Sequence, residues 1–183
     1  MENFSNNFLL SMPHLNESVF SESLIYICTH DNSGAMGIII NKPIETKNIQ
    51  NILKETGLNQ LKREIEIYLG GPVDVEIPIF LHDKKYQTTN TLSISKTVSM
   101  SSNIDIIEDI KKGTGPDKFK FMLGYSGWGK GQLEKEIENG DWLLIPANDY
   151  LIFNTPSSKI FQIAQSLSGI DIKTFTGGMS GLS

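Results

Sequence analysis

Cys28 and His30 are the first residues whose types and spacing could do chemistry together. A thiolate is a nucleophile, and an imidazole beside a thiol lowers its pKa. The two lie two residues apart in Leu24-Ile25-Tyr26-Ile27-Cys28-Thr29-His30, and strand alternation puts such neighbours on one sheet face, with Tyr26 beside them. Same-face neighbours are about 6.5–7 Å apart along a strand, so a direct thiol–imidazole bond needs unusual side-chain directions. The spacing allows a thiol-dependent enzyme or redox pair without requiring one. The plainer reading is a small hydrophobe buried in an apolar run.

The second unusual stretch is Gly124-Tyr125-Ser126-Gly127-Trp128-Gly129-Lys130-Gly131-Gln132-Leu133-Glu134. Read as a loop between a strand and a helix, it would offer backbone N–H groups at the helix start to a phosphate or carboxylate, with Lys130 adding positive charge. The segment lacks both the GK[ST] ending of a P-loop and the GxGxxG order of a dinucleotide fold. It also misses the GxSxG spacing around Ser126 that a hydrolase elbow needs. In the structural alternative the glycines permit a tight path and Trp128 is a packing anchor, which an exposed indole would contradict.

Other donors are sparse. His14, His30, His82 and Cys28 exhaust the imidazole and thiol groups, and they show no recognised ligand spacing. A site built from His30, His82 and carboxylates is geometrically open, but no metal and no other cofactor is called for. Glu134 and Glu138 share a helical face while Glu136 points away, as on a solvated helix. Asp105 and Asp109 are one helical turn apart with no apolar cleft to make them a catalytic pair.

The elements that must position these groups read as a continuous α+β pattern. Phe8-Leu9-Leu10 is a short strand, and residues 23–30 and 35–40 form a β-hairpin about Asp31-Asn32-Ser33-Gly34. Asn48 caps a helix carrying Ile49, Ile52 and Leu53 that ends at Gly57. Alternation over Ile65, Ile67 and Leu69 gives a strand stopping at Gly70-Gly71-Pro72, and residues 79–82 give another. Residues 92–94 and 97–100 are weaker strands. A helix capped by Ser102 or Asn103 turns Ile104, Ile107 and Ile110 inward and ends near Gly113. Residues 119–123 are a strand, the glycines from 124 to 131 a loop, and 132–139 a helix. Residues 142–145 and 150–153 read as strands. A last helix opens at Thr155-Pro156 with Ile160, Ile163, Ala164 and Leu167 on one face, and Ile170, Ile172 and Phe175 complete the pattern.

The predicted fold class is therefore α+β: a single domain, mainly antiparallel sheet, with three to four packed helices. Its expected limits are 8–175, between a flexible N-terminus at 1–7 and a mobile Gly/Ser-rich tail at 176–183. At 183 residues, folding buries roughly 70% of the extended surface, enough to need neither disulfide nor metal. Sixteen basic against 21 acidic residues give a net charge of −5, the wrong sign for an autonomous nucleic-acid binder. The longest apolar run, Leu24 to Cys28, is far short of the ~20 residues that cross a bilayer. With no basic secretory leader and a single cysteine, a cytoplasmic location is expected.

The stretch from about Phe8 to Phe175 resembles the bacterial YqgE/AlgH family. The resemblance is carried by Leu10-Ser11-Met12-Pro13, Tyr26-Ile27-Cys28-Thr29-His30, Gly34-Ala35-Met36-Gly37 through Asn41-Lys42-Pro43, Leu69-Gly70-Gly71-Pro72-Val73, Gly124-Tyr125-Ser126-Gly127-Trp128, and Gly131-Gln132-Leu133-Glu134. It differs from the family pattern at Ser18, Glu22 and Thr29. The resemblance implies a compact α+β domain with no established biochemical activity, some of whose members are labelled transcriptional regulators. On this footing a regulatory, non-enzymatic protein is preferred, acting through a small anionic ligand or a protein partner rather than by direct DNA contact. Asn41, Gly70, Gly71, Trp128, Gly129, Lys130 and Gln132 are its candidate binding residues. The deciding geometry is whether Cys28, His30, Asn41, Gly71 and Trp128 converge on one concave surface.

Overall fold

A central strand that changes neighbours halfway along its length organises the molecule. The computed structural model describes residues 3–45 and 47–170. Among them are nine strands: β1 (Asn7–Ser11), β2 (Leu24–Asp31), β3 (Gly34–Ile39), β4 (Ile67–Leu69), β5 (Val73–Asp83), β6 (Thr91–Ser93), β7 (Val98–Ser101), β8 (Phe119–Gly129) and β9 (Trp142–Pro146). The helices are α1 (Lys47–Thr56), α2 (Asp105–Lys112), α3 (Gln132–Glu138), α4 (Asp149–Phe153) and α5 (Ser157–Ser168). The sheet order is β6-β7-β5-β8-β3-β2-β1-β9, with β4 also paired to β8. Every pairing is antiparallel except β4 with β8. The α+β class and the antiparallel sheet hold, with five helices among the described residues.

The hairpin at 23–40 forms as expected. β2 and β3 pair from Ile25↔Ile39 to Asp31↔Gly34 around the two-residue turn Asn32-Ser33, and the Asp31 carboxylate accepts the Ser33 N–H at 2.7 Å. Two-residue turns match the twist of the strands they join. β8 departs from expectation. The glycines beyond Leu123 are not a loop but the second half of one eleven-residue strand. Residues 121–123 lie between β5 and β4, whereas Gly127–Gly129 and Ser126 pair with β3. The exchange of β4 for β3 falls about Gly124, whose φ of +73° only glycine adopts without strain, while β5 still pairs beyond it at Val73↔Tyr125.

Three hydrophobic clusters follow from this path. On one face Phe8, Leu10, Tyr26, Cys28, Ile38 and Met122 pack beneath α4 and α5. On the other, Leu9, Ile25, Ile27, Trp128, Leu133 and Trp142 form a second cluster against α3. A third joins Phe80 and Phe121 to α1 and α2.

Several helix expectations change. α1 begins at Lys47, so Asn48 is inside its first turn rather than at its cap; it ends as expected at Gly57, φ +75°. In α2 Ile106 is inward with Ile107 and Ile110, while Ile104 precedes the helix and is exposed. Asn103 does bond the helix start, accepting Asp105 N–H at 3.0 Å. Residues 150–153 are helical, not extended, because Asn148 caps them by accepting Tyr150 N–H at 2.8 Å. α5 buries Ile160 and Ala164 but leaves Ile163 and Leu167 in solvent. The tail at 176–183, with Ile172 and Phe175, lies outside the described residues.

Candidate functional site

The Cys28–His30 pair is separated by a β-bulge. β2 and β3 are in register through Ile27↔Gly37 and resume at Thr29↔Met36, so Cys28 is the extra residue. One added residue reverses the alternation beyond it. Tyr26 and Cys28 therefore face the α4/α5 cluster, while His30 turns to the side of Ile25 and Ile27. There His30 Nδ1 accepts Phe4 N–H at 3.0 Å, its ring stacks on Phe4 at 4.8 Å, and Nε2 meets Glu134 Oε1 at 3.2 Å. The expectation that thiol and imidazole share a face is thus corrected. The thiol's recorded polar partner is Tyr26 O, 3.6 Å away, and burial pushes its pKa well above the ordinary range. Alkylation of native Cys28 should be on the order of a hundredfold slower than that of an unfolded control at pH 8, with a reactivity midpoint above about 8.5. Rapid labelling with a lower midpoint would restore the nucleophile reading.

His82 is on β5 and His30 on β2, with β8 and β3 between them, so the two do not join in a metal site. Among the described residues no three His, Cys, Asp or Glu side chains converge as metal ligands. His82 is fully buried, with Nδ1 2.8 Å from Asp83 O and Nε2 2.9 Å from Ser101 Oγ. A carbonyl only accepts, so Nδ1 carries the proton and the Ser101 hydroxyl donates to Nε2. Burial lowers the imidazole pKa, against a smaller opposing effect of Asp83. The unfolded chain then binds a proton that the folded one refuses, so stability falls as pH drops below the ordinary value of about 6.5. In urea denaturation, His82→Gln should remove this slope between pH 6.5 and 5; parallel curves for the two proteins would refute the assignment.

The motif residues hold backbone crossings and turns at separate points rather than lining a common cavity. Asn41 is a latch whose Oδ1 accepts Leu24 N–H and whose Nδ2 donates to Glu22 O, both at 2.8 Å. Gly70 and Gly71 cross β8 so closely that a Cβ on either would lie 2.2 Å from Gly124 O or 2.1 Å from the Tyr125 carbonyl carbon. Trp128 is buried, and its indole donates to Glu136 Oε2 at 2.7 Å. Gly129 N–H is taken by Gln132 Oε1 at 3.0 Å, and Lys130 is exposed. Only seven residues long, α3 adds no helix-start anion site to that internal bond. Glu136, read from the sequence as solvated, holds the indoles of both Trp128 and Trp142.

The group with unusual chemistry is one that the sequence reading passed over. Lys120, on the face of β8 that carries Met122, is 7% exposed. Its Nζ donates to Ile40 O at 2.7 Å and stands 4.1 Å above the centre of the Tyr68 ring. Burial lowers its pKa to about 8, with Glu66 opposing the shift. Among the described residues no carboxylate lies within 4 Å of this amine. Lys120 lines a cleft of about 280 Å³ with Arg63, Glu64, Glu66, Tyr68, Phe153, Asn154 and Thr155. The Tyr68 hydroxyl is hydrogen-bonded to the Glu66 carboxylate, and Arg63, the chain's one arginine, lies over Phe119 at 4.3 Å. None of the motif residues lines this cleft. The available signal was a lysine between two phenylalanines in a strand flanked on both sides, where alternation alone suggested a solvated side chain.

Comparison with known proteins agrees with this architecture. A UPF0301 protein of Marinomonas sp. strain MWYL1 is 42% identical over 175 residues, covering 93% of this chain and 92% of that one. A UPF0301 protein of Hahella chejuensis is 38% identical, with 93% and 92% covered. The solution structure of the AlgH protein from Pseudomonas aeruginosa superposes with a TM-score of 0.76 at 30% identity, covering 99% of this chain and 96% of that one. A crystal structure of protein DIP2367 from Corynebacterium diphtheriae, 19% identical, shares the fold with a TM-score of 0.74 over 96% and 92%. Among the described residues no helix is long and apolar enough to cross a membrane. With the AlgH-like family model matching residues 8–173, the chain belongs to the AlgH-like family.

Proposed function

We propose that this is a regulatory protein that acts by binding a small anionic ligand, with a protein partner reading the bound state, and not by direct DNA contact. The observation that carries the reading is Lys120: a buried primary ammonium with no carboxylate in ion-pair contact among the described residues and with Glu66 acting on it only from a distance, lining a cleft that also holds the chain's single arginine. Burying a charge without an opposite one costs stability, and such groups concentrate where a ligand supplies the missing charge. Arg63 offers a planar fork suited to carboxylate or phosphate. The glycine-rich motif supports the site from behind by fixing the path of β8, so Gly70, Gly71 and Trp128 act as scaffold rather than as contacts. The net charge of −5 argues against a nucleic-acid surface.

A thermal-shift panel of small carboxylates and inorganic phosphate tests this. A true ligand at a hundredfold excess over its Kd should stabilise the protein by about 2.7 kcal/mol. The gain should vanish in Arg63→Gln and in Lys120→Met but persist in Lys130→Ala. A panel that leaves all proteins unmoved, or a shift lost only in Lys130→Ala, would defeat the reading.

A further inference from the structure

We infer that the Lys120 cleft takes a small 2-oxo acid or related carbonyl compound, which the Lys120 amine holds as an imine while Arg63 holds its carboxylate. This rests on the anion-binding reading and adds the chemical class of ligand. Three features of the cleft converge on it.

The first is the amine's setting. Lys120 is more than nine-tenths buried, lines the cleft, and is fixed from behind by its bond to Ile40 O and by the Tyr68 ring. A fixed, desolvated primary amine suits addition to a carbonyl better than the mobile ammonium of a surface lysine. Its lowered pKa leaves a large neutral fraction at mildly basic pH. The second is a protonic pair in the same cleft, the Tyr68 hydroxyl bonded to the Glu66 carboxylate. Imine formation needs proton transfer at the carbonyl oxygen, first in and then out as water. The third is Arg63, which reaches the cleft from the segment preceding β4 and has no acidic partner within 4 Å among the described residues. A carbonyl compound bearing a carboxylate engages both side chains, the carbonyl carbon with the Lys120 amine and the carboxylate with the Arg63 guanidinium. The volume of about 280 Å³ is at the small end of ligand sites, which fits a compact acid.

The chemistry balances without an oxidant or reductant. The neutral Nζ lone pair attacks the carbonyl carbon, and the carbonyl π pair moves to oxygen, which takes up a proton as nitrogen loses one. The resulting hydroxyl leaves as water after a second protonation, the nitrogen lone pair closes the C=N bond, and the iminium nitrogen gives up its remaining proton to the group that supplied the second one. Amine plus carbonyl gives imine plus one water, and hydrolysis reverses it, as reversible ligand sensing requires.

The test uses the full-length protein, glyoxylate as probe and cyanoborohydride to trap the imine, with peptide mapping by mass spectrometry. At pH 8 the reduced adduct should form at Lys120 on the order of tenfold faster than at exposed lysines such as Lys85, because burial holds the Lys120 ammonium well below the usual lysine range. Arg63→Gln should slow trapping of glyoxylate but not of acetaldehyde, and Lys120→Arg should abolish the preferred adduct while keeping the positive charge. Adducts distributed by exposure, with Lys120 unmodified, would overturn the inference. Glycolate, which has the carboxylate but no carbonyl, separates the two readings. Equal thermal stabilisation by glycolate and glyoxylate without an adduct would remove the imine and leave anion binding standing. No stabilisation by either, and no adduct, would remove both.

Discussion

Replacing Glu136 with leucine is expected to destabilise the protein by about 3–4 kcal/mol and lower its melting temperature by roughly 10 °C. One carboxylate oxygen, Oε2, accepts both Trp128 Nε1 at 2.7 Å and Trp142 Nε1 at 2.8 Å, while Oε1 accepts Gln132 Nε2 at 2.8 Å. The two indoles are 6% and 4% exposed, with ring centres 6.2 Å apart at 81°. A leucine there would match the surrounding apolar cluster in character, so burial alone favours the substitution. It would nevertheless leave two buried N–H donors without an acceptor, each costing about 1–3 kcal/mol, and those losses outweigh the added apolar surface. Glu136→Gln keeps one carbonyl oxygen in reach and should recover most of the loss. Tryptophan near-UV circular dichroism should follow the same order, because the edge-to-face pair depends on this shared acceptor. Equal stability of the Leu and Gln variants would show that packing, not the shared acceptor, holds the pair.

Glu136 also marks the boundary of what the sequence made legible. The hairpin at 23–40, α1 with its Gly57 stop, and the inward face of α2 at Ile107 and Ile110 follow from local turn chemistry and periodicity, which are properties of neighbouring residues. Misreadings arose where a distant partner decides the outcome. Gly124 reads as a loop because a glycine there breaks a strand pattern, yet β8 continues through it because β3 takes over pairing where β4 ends, while β5 stays paired as far as Val73↔Tyr125. Residues 150–153 are apolar enough for a strand, and the competing signal was Asn148, a capping residue just ahead of them. The bulge at Cys28 has no glycine or proline to announce it, and it alone separates a thiol and imidazole that simple alternation joins. Glu136 and Lys120 are charged residues at positions where alternation says solvent. Only the tertiary fold shows that one is enclosed by indoles and the other by the Tyr68 ring and Ile40 O.

Lys120 should give the largest pH effect. Its pKa stands near 8 when folded against 10.5 when exposed, with burial the dominant cause. Between these values the unfolded chain keeps a proton that the folded chain gives up, so folding becomes more favourable as pH rises through the window. The difference of 2.5 units corresponds to about 3 kcal/mol, fully present as a penalty below pH 8 and relieved as pH approaches 10.5. Lys120→Met removes the titrating group at the expense of the bond to Ile40 O. Urea denaturation of both proteins from pH 7 to 10 should therefore show the native protein gaining on the variant by about 2–3 kcal/mol. Working below pH 10 and taking the difference keeps ordinary tyrosine titration out of the result. Parallel curves would mean that the amine is solvated in the folded state, and the cleft would lose the charge on which its binding role depends. A bound carboxylate should flatten the native curve, since an opposite charge beside the ammonium raises its pKa back toward the unfolded value. The same titration with and without ligand thus reports whether the unbalanced charge of Lys120 is a defect of packing or the energy that an incoming anion releases.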